Sequence, residues 1–386
     1  MDLTLNAEQT FFQETTRRFL EDQAPLTSVR ELADEPAGFG RGWWRRGAEL
    51  GWTAFLVPEE HGGGTLSGEG GLRDLAIVAE EFGRLVSPGP LHPTNIVAAA
   101  LAASGTAEQQ AEVLPGVVRG DVVATWCFNE PGGRWRSSDV ELVALPTDDG
   151  FVLAGTKAMV EAPGEADWFL VSARLNRGGD GLAQFLVPRD APGLAVTPMK
   201  GLDLVRRFGR VRFDDVAVSS AARVGAGDAT ADIERQLQIG AILECAEMAG
   251  AADRVLEFTT EYAFNRYSFG RQLASYQALK HRFADMKLWL EATHATVDGA
   301  ARAIDGAANA AHGADGSQAA RLVSAAKVYV GDRVPELVQD CVQMHGGIGV
   351  TWEHDIHLYL RRVTLGRALY GTPDEHRERL ATAAGL

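Results

Sequence analysis

Gln238-Ile239-Gly240-Ala241-Ile242-Leu243-Glu244-Cys245-Ala246-Glu247-Met248-Ala249-Gly250 is the stretch from which the rest of the chain can be read. Ile239, Leu243, Ala246, Gly250 and Leu256 recur mostly at three- and four-residue steps, the period of a helix with one buried face. Glu244 and Glu247 lie three apart on adjacent turns. Gly240, Ala246, Ala249, Gly250, Ala251 and Ala252 leave room for another element to pack closely. The run continues to Tyr262 and ends in Arg266-Tyr267-Ser268-Phe269-Gly270-Arg271-Gln272, where Gly270 is a helix stop. An Arg can grip a phosphate with two hydrogen bonds and a Ser can add a third. A second helix is expected to restart at Ser275. By itself the segment also reads as a helix hairpin with solvated charges.

Outward from this stretch, the first third is helical. Asn6 caps a first helix that runs through Leu20, and a second helix is expected to carry Trp43, Trp44, Leu50 and Trp52. The glycine-rich run Val57–Gly64 lacks the preceding strand and following Lys-Ser/Thr of a phosphate loop, so it reads as a turn. Helices are expected at 72–85, 92–103 and 107–118. The middle third changes period. Short β-branched or aromatic runs at 122–128, 140–145, 151–153, 168–173, 183–187, 194–198 and 211–216 predict an antiparallel β-domain of sandwich or barrel type. From Asp232 onward the chain is helical again, with amphipathic helices at 290–304 and 319–345 around a small-residue linker at 306–316. The fold class expected is α+β, with helical, β and helical domains at 1–119, 120–225 and 226–386.

The 386 residues suggest two or three packed units, and 46% hydrophobic with 23% charged residues is ordinary for a globular protein. A formal charge of −15 disfavours nucleic acid and anionic membranes as partners, so an anionic ligand needs a local cluster of Arg or Lys. Cys127, Cys245 and Cys341 are widely separated, which gives no metal knuckle or redox pair and fits buried thiols in a reducing cytoplasm. The first residues lack the basic and apolar regions of a secretion signal, and no apolar run reaches bilayer length.

Five segments together resemble the acyl-CoA dehydrogenase family. They are Trp126-Cys127-Phe128-Asn129-Glu130-Pro131-Gly132, Gly155-Thr156-Lys157, Arg266-x-Ser268-Phe269-Gly270-Arg271-Gln272, Ser275-Tyr276-Gln277 and Gln343-x-His345-Gly346-Gly347-x-Gly349. The resemblance spans nearly the whole chain. It implies an N-terminal helical domain, a central β-domain and a C-terminal four-helix bundle, with FAD as cofactor and a homo- or hetero-oligomeric dimer of dimers. It implies that Trp126, Phe128, Asn129 and Met159 line the flavin ring. Arg266, Ser268 and Phe269 would hold the pyrophosphate and adenine part, completed by Gln277, Gln343, Gly346 and Gly347. The implied reaction is α,β-desaturation of an acyl-CoA thioester in lipid metabolism, in which a carboxylate removes the α-proton while a hydride moves to flavin N5. The implied electron acceptor resembles an electron-transfer flavoprotein.

The chain departs from the family pattern at the base. Many members carry a Glu just before a Gly-Thr near the C-terminus, where this sequence has Tyr370-Gly371-Thr372. Others carry it on the helix quoted above, at a place occupied here by Gly240. Glu247 is the expected base, with Glu244 behind it; the other reading of Glu247 is a structural carboxylate paired with a cation from a neighbouring helix. Met159 and Glu161 stand where the family has Trp and Thr over the flavin, and Gly133-Arg134-Trp135-Arg136-Ser137 replaces a Gly-Ser-Asp turn. The two arginines there suit CoA phosphates or a solvated surface turn. His354 and His357 suggest a metal only weakly, and a helix surface is the preferred reading. Alternatives to a self-sufficient dehydrogenase are a non-catalytic partner subunit of a heteromeric enzyme and a same-fold flavin oxidase or monooxygenase.

Overall fold

The computed structural model describes residues 4–66, 68, 70–176, 181–309 and 316–386. Six helices come first: α1 (Ala7–Gln23), α2 (Ser28–Leu32), α3 (Arg41–Glu49), α4 (Gly71–Leu85), α5 (Leu91–Ser104) and α6 (Ala107–Val118). The starts of α1 and α6 are fixed by reciprocal capping boxes, Asn6 with Gln9 and Thr106 with Gln109. The expected second helix stops at Glu49, before Leu50 and Trp52, because Gly51 turns the chain with a φ of 106°. Trp52 is buried, its ring 5.5 Å from that of Trp43.

Eight strands follow: β1 (Ala124–Cys127), β2 (Val143–Pro146), β3 (Gly150–Glu161), β4 (Trp168–Leu175), β5 (Leu182–Pro188), β6 (Leu194–Met199), β7 (Phe208–Ser219) and β8 (Arg223–Val224). They form one sheet in the order β6-β7-β3-β2-β4-β5-β8, with β1 also paired to β4. The pairings are mostly antiparallel, but β1 and β2 both run parallel to β4, along successive parts of its length. β3 is far longer than the expected 151–153: its pairing with β7 continues through two register shifts, one between Leu153 and Gly155 and one between Lys157 and Val160, without ending the strand. Its core includes Phe169, Phe185, Phe213, Val171 and Val211.

The last third holds α7 (Thr230–Asn265), the short hairpin strands β9 (Tyr267–Ser268) and β10 (Arg271–Gln272), then α8 (Gln277–Asn309), α9 (Gly316–His345), α10 (Ile356–Ala368) and α11 (Pro373–Ala383). The helix expected at 290–304 is the second half of α8, which runs unbroken from Gln277. The expected linker at 306–316 lies largely outside the described residues. No described helix is long and apolar enough to cross a membrane.

The chain divides into two compact units. One comprises Met1–Val29, Leu72–Ser87 and Ala241–Leu386; the other comprises Arg30–Gly71 and Pro88–Gly240. Within the first, the small residues of α7 meet α4. A Cβ on Gly250 would lie 1.8 Å from the carbonyl oxygen of Glu80, and a Cβ on Gly83 would lie 1.8 Å from that of Glu247. Each helix therefore brings a glycine to the other's backbone, a spacing no larger residue permits. All three cysteines are buried, one each on β1, α7 and α9, and burial pushes their thiols up.

Gly250→Ala is expected to destabilise the protein by about 1–3 kcal/mol through overpacking. Thermal unfolding checks this, and an unchanged midpoint would mean that the crossing has slack.

Candidate active site

Glu244 and Glu247 both lie on α7, and both are buried. Glu247 does not stand alone. Its Oε1 accepts a hydrogen bond from Nη1 of Arg362 on α10, and the two side chains are 3% and 1% exposed. Both terminal nitrogens of Arg362 also lie 3.3 Å from the carbonyl oxygen of Ser87. Glu247 and Arg362 thus form a buried ion pair in which each charge compensates the other. Glu244 sits one turn earlier, against Gly366 of α10, where a Cβ would come within 2.4 Å of its Oε1. The carbonyl of Gly366 accepts from the buried Nζ of Lys327, at 2.5 Å. The α7 carboxylates thus share this interior with two buried cations.

Tyr370 is buried and has a φ of 57°, followed by Gly371 at 106°. The turn is held from behind by His376, whose Nε2 lies 3.0 Å from the Tyr370 carbonyl and whose Nδ1 lies 3.1 Å from Oγ of Ser324. Burial, with Lys327 nearby, pushes the pKa of His376 down to about 3, so the ring is neutral. The partners fix its tautomer: Nε2–H donates to the carbonyl and Nδ1 accepts from the serine hydroxyl.

The phosphate-gripping candidates gather at the β9–β10 hairpin. Phe269 and Gly270 both have positive φ, 49° and 81°, which is a two-residue hairpin turn carrying a strained aromatic at its tip. Phe269 is 98% exposed, and Arg266 and Gln277 are exposed as well, with Ser268 half-buried. Tyr276 braces the hairpin, its hydroxyl donating to the Ser268 carbonyl at 2.8 Å and its ring lying under Arg271. Gln343, Gly346 and Gly347 are exposed at the end of α9. His345 ties that end to α7: its Nε2 lies 3.1 Å from Oγ1 of Thr259, and its ring 4.3 Å from that of Tyr262. The Arg266 amide bonds to the Tyr262 carbonyl, so α7 connects the two groups. His354 Nδ1 accepts from the Ile356 amide, and His357 stacks on Trp352.

The flavin-lining candidates lie in the second unit and are largely occupied by their own domain. Trp126, Phe128 and Asn129 are buried, while Met159 is half-buried with a φ of 52° at a register shift in β3. The Trp126 and Phe128 rings stack at 4.7 Å, and Trp126 Nε1 donates to Oγ of Ser172. The Phe128 carbonyl accepts from Lys157 Nζ, and the Asn129 carbonyl from the Ala158 amide. Glu161 forms a buried two-pronged ion pair with Arg206, at 2.7 and 2.8 Å.

Family models for the acyl-CoA dehydrogenase N-terminal, middle and C-terminal domains match residues 6–121, 126–216 and 230–385. The chain belongs to the acyl-CoA dehydrogenase family. Members are FAD-dependent oxidoreductases. It is 28% identical to the acyl-CoA dehydrogenase IpdE2 of Mycolicibacterium smegmatis, over 97% of this chain and 98% of that one. IpdE2 of Mycobacterium tuberculosis is 29% identical, covering 98% of each. Among solved structures, a "Tcur3481-Tcur3483 steroid ACAD" variant is 30% identical with a TM-score of 0.84, covering 99% of both chains. Butyryl-CoA dehydrogenase from Megasphaera elsdenii, at 22% identity and a TM-score of 0.88 with complete coverage of both, shows the shared fold.

The two sets of FAD candidates differ in how they fit that cofactor. The bundle set offers an exposed guanidinium, an exposed aromatic ring and two exposed glycines, groups suited to a dinucleotide. The β-domain set has little side-chain surface left, because its aromatics are spent on one another. Sequence reasoning missed Arg362, Arg206 and Lys327. Arg362 did carry a signal: it falls in the buried stripe Leu358, Tyr359, Arg362, Val363 and Gly366, where a lone cation calls for a buried anion.

Arg362→Met is expected to cost about 3–5 kcal/mol by leaving Glu247 uncompensated, with Glu247→Leu/Arg362→Met recovering much of it. Denaturant unfolding of the three proteins checks this; a single variant as stable as the native protein would refute it. His376 has a folded pKa below its unfolded value of about 6.5. Its contribution is therefore complete above pH 6.5 and is lost as pH falls toward 3. His376→Gln should flatten the acid limb of the stability profile over that window.

Proposed function

We propose that this chain is one of two unlike subunits of an FAD-dependent acyl-CoA dehydrogenase, and that its partner supplies the base. The observation that carries this reading is the Arg362–Glu247 pair. A general base must accept a proton at working pH, and a buried carboxylate closed on a guanidinium is a poor acceptor. Tyr370 occupies one family position for the base and Gly240 the other. The half-buried Ser268 and the exposed bundle residues Arg266, Phe269, Gln277, Gln343, Gly346 and Gly347 would bind the pyrophosphate and adenine end of FAD, which when bound supplies the two-electron acceptor. Phe264, Tyr267, Ile348, Val350 and Trp352, exposed apolar residues beside these groups in sequence, support a contact with another subunit. The name of the relative at 30% identity joins two gene products and specifies a steroid enzyme, which supports both an unlike partner and a bulky, ring-bearing acyl group.

A second reading keeps Glu247 as the base of a self-sufficient dehydrogenase; its place on a buried, small-residue face of α7 favours that role. One experiment separates the two. The chain is purified alone and with co-expressed candidate partners, and its visible spectrum is followed under anaerobic addition of acyl-CoAs. We expect the chain alone to hold little flavin. We expect the complex to be yellow and to bleach, with Glu247→Gln in this chain changing the rate less than tenfold. A yellow chain that bleaches alone, and loses bleaching with Glu247→Gln while keeping its flavin, would establish the second reading instead.

A further inference from the structure

Within the second unit, residues of α6, β4, β5 and the end of β7 line a cleft of about 470 Å³. A volume of that order suits a small molecule. The cleft shares no residue with the flavin, dinucleotide or base candidates. Trp168, Leu186, Pro188 and Val218 give it an apolar wall. Its charged groups are Glu112 of α6 and Asp190 of the turn after β5. No Lys, Arg or His is found among the described residues that line it.

The walls are held by bonds that leave these charged groups unused. Gln109 of α6 donates from Nε2 to the carbonyls of Ala221 and Arg223, at 2.8 and 3.2 Å, which ties α6 to the turn after β7. The turn after β5 is closed by the Ala191 amide on the Pro188 carbonyl, at 3.2 Å, and by the Leu194 amide on the Ala191 carbonyl, at 3.1 Å. Trp168 stands opposite Pro188 in the β4–β5 register. The two guanidiniums nearest in sequence are engaged elsewhere: Arg189 donates to the Pro163 carbonyl, and Arg223 to that of Gly227 at 2.8 Å. Glu112 and Asp190 are exposed, and among the described residues neither has a cation within ion-pair distance.

We propose that this cleft binds a small organic cation, an alkylammonium compound whose charge is met by Glu112 and Asp190 and whose hydrocarbon part packs on Trp168, Leu186 and Pro188. An ammonium on a hydrocarbon stem needs a carboxylate at one end and apolar surface along its length. An indole serves both parts, since it covers hydrocarbon and attracts cations. The field of a chain of net charge −15 draws cations in the same sense. Acyl-CoA and FAD are anions, so the same two carboxylates exclude the ligands assigned to the rest of the molecule. The proposal therefore stands apart from the dehydrogenase reading, and either can fail without the other.

Calorimetric titration of the full-length protein, with its partner chain where the two co-purify, uses hexylammonium, hexanol and hexanoate as probes of one length and three charges. We expect hexylammonium to bind about tenfold more tightly than hexanol, hexanoate not to bind, and added salt to weaken hexylammonium alone. Glu112→Gln/Asp190→Asn should weaken hexylammonium about tenfold, remove its salt dependence and leave hexanol unchanged. Ala217, exposed on β7, also lines the cleft, so Ala217→Trp should fill it and abolish binding of both hexylammonium and hexanol. Saturating acyl-CoA should leave hexylammonium affinity unchanged. Equal affinity for hexylammonium and hexanol, an unaltered carboxylate double variant, or displacement of hexylammonium by acyl-CoA overturns the proposal.

Discussion

A carboxylate and a guanidinium buried against each other set the terms for the helical unit. Neither Glu247 nor Arg362 can remain charged in a buried site without compensation, and Arg362 also donates to the carbonyl of Ser87. The pair therefore fixes three parts of the chain at once: α7, α10 and the end of α4. The close crossing at Gly83 and Gly250 brings α4 near enough for this, and the bare backbone of Gly366 leaves space for Glu244 one turn away. Glycines and charges in this unit belong to one arrangement, since the glycines let the helices that carry the buried ion pair pack closely.

The β-domain solves a similar problem in its own way. Lys157 is fully buried beneath β1, yet its ammonium finds the Phe128 carbonyl and the Glu130 carboxylate. Burial alone pulls its pKa down, and the Glu130 charge opposes that. Glu161, which the sequence places where the family has an uncharged residue, meets Arg206 in a two-pronged pair. The Glu161 charge is thus neutralised within the same domain, and what it presents to its surroundings is closer to a dipole than to an anion.

Much of this was readable beforehand. The period of α7, its small residues and the Asn6 cap are local properties, and local properties leave local marks. The failures are non-local. The expectation at 151–153 covers only the start of β3, because Gly155 and the irregular pairing around Ala158 and Met159 interrupt a strand's pattern, and that irregularity is defined only by the partner β7. The parallel pairing of β1 and β2 with β4 likewise depends on segments distant in sequence. At the site, the two glutamates were visible but the partner of Glu247 was not, since Arg362 lies 115 residues away. The bare periodicity of α10 places a cation on its buried stripe without saying which anion it meets.

The three buried thiols have a use that does not depend on what the enzyme acts upon. Each lies in a different structural setting, Cys127 in the sheet, Cys245 beside the α7 carboxylates and Cys341 in the bundle opposite Met286. In the closed state all three are shielded and protonated, so an alkylating reagent has nothing to attack. Any labelling is a record of opening, and which cysteine reacts first says which part of the molecule breathes most readily. The chain carries its own clocks, one for the sheet and two for the helices, wound by nothing more than burial.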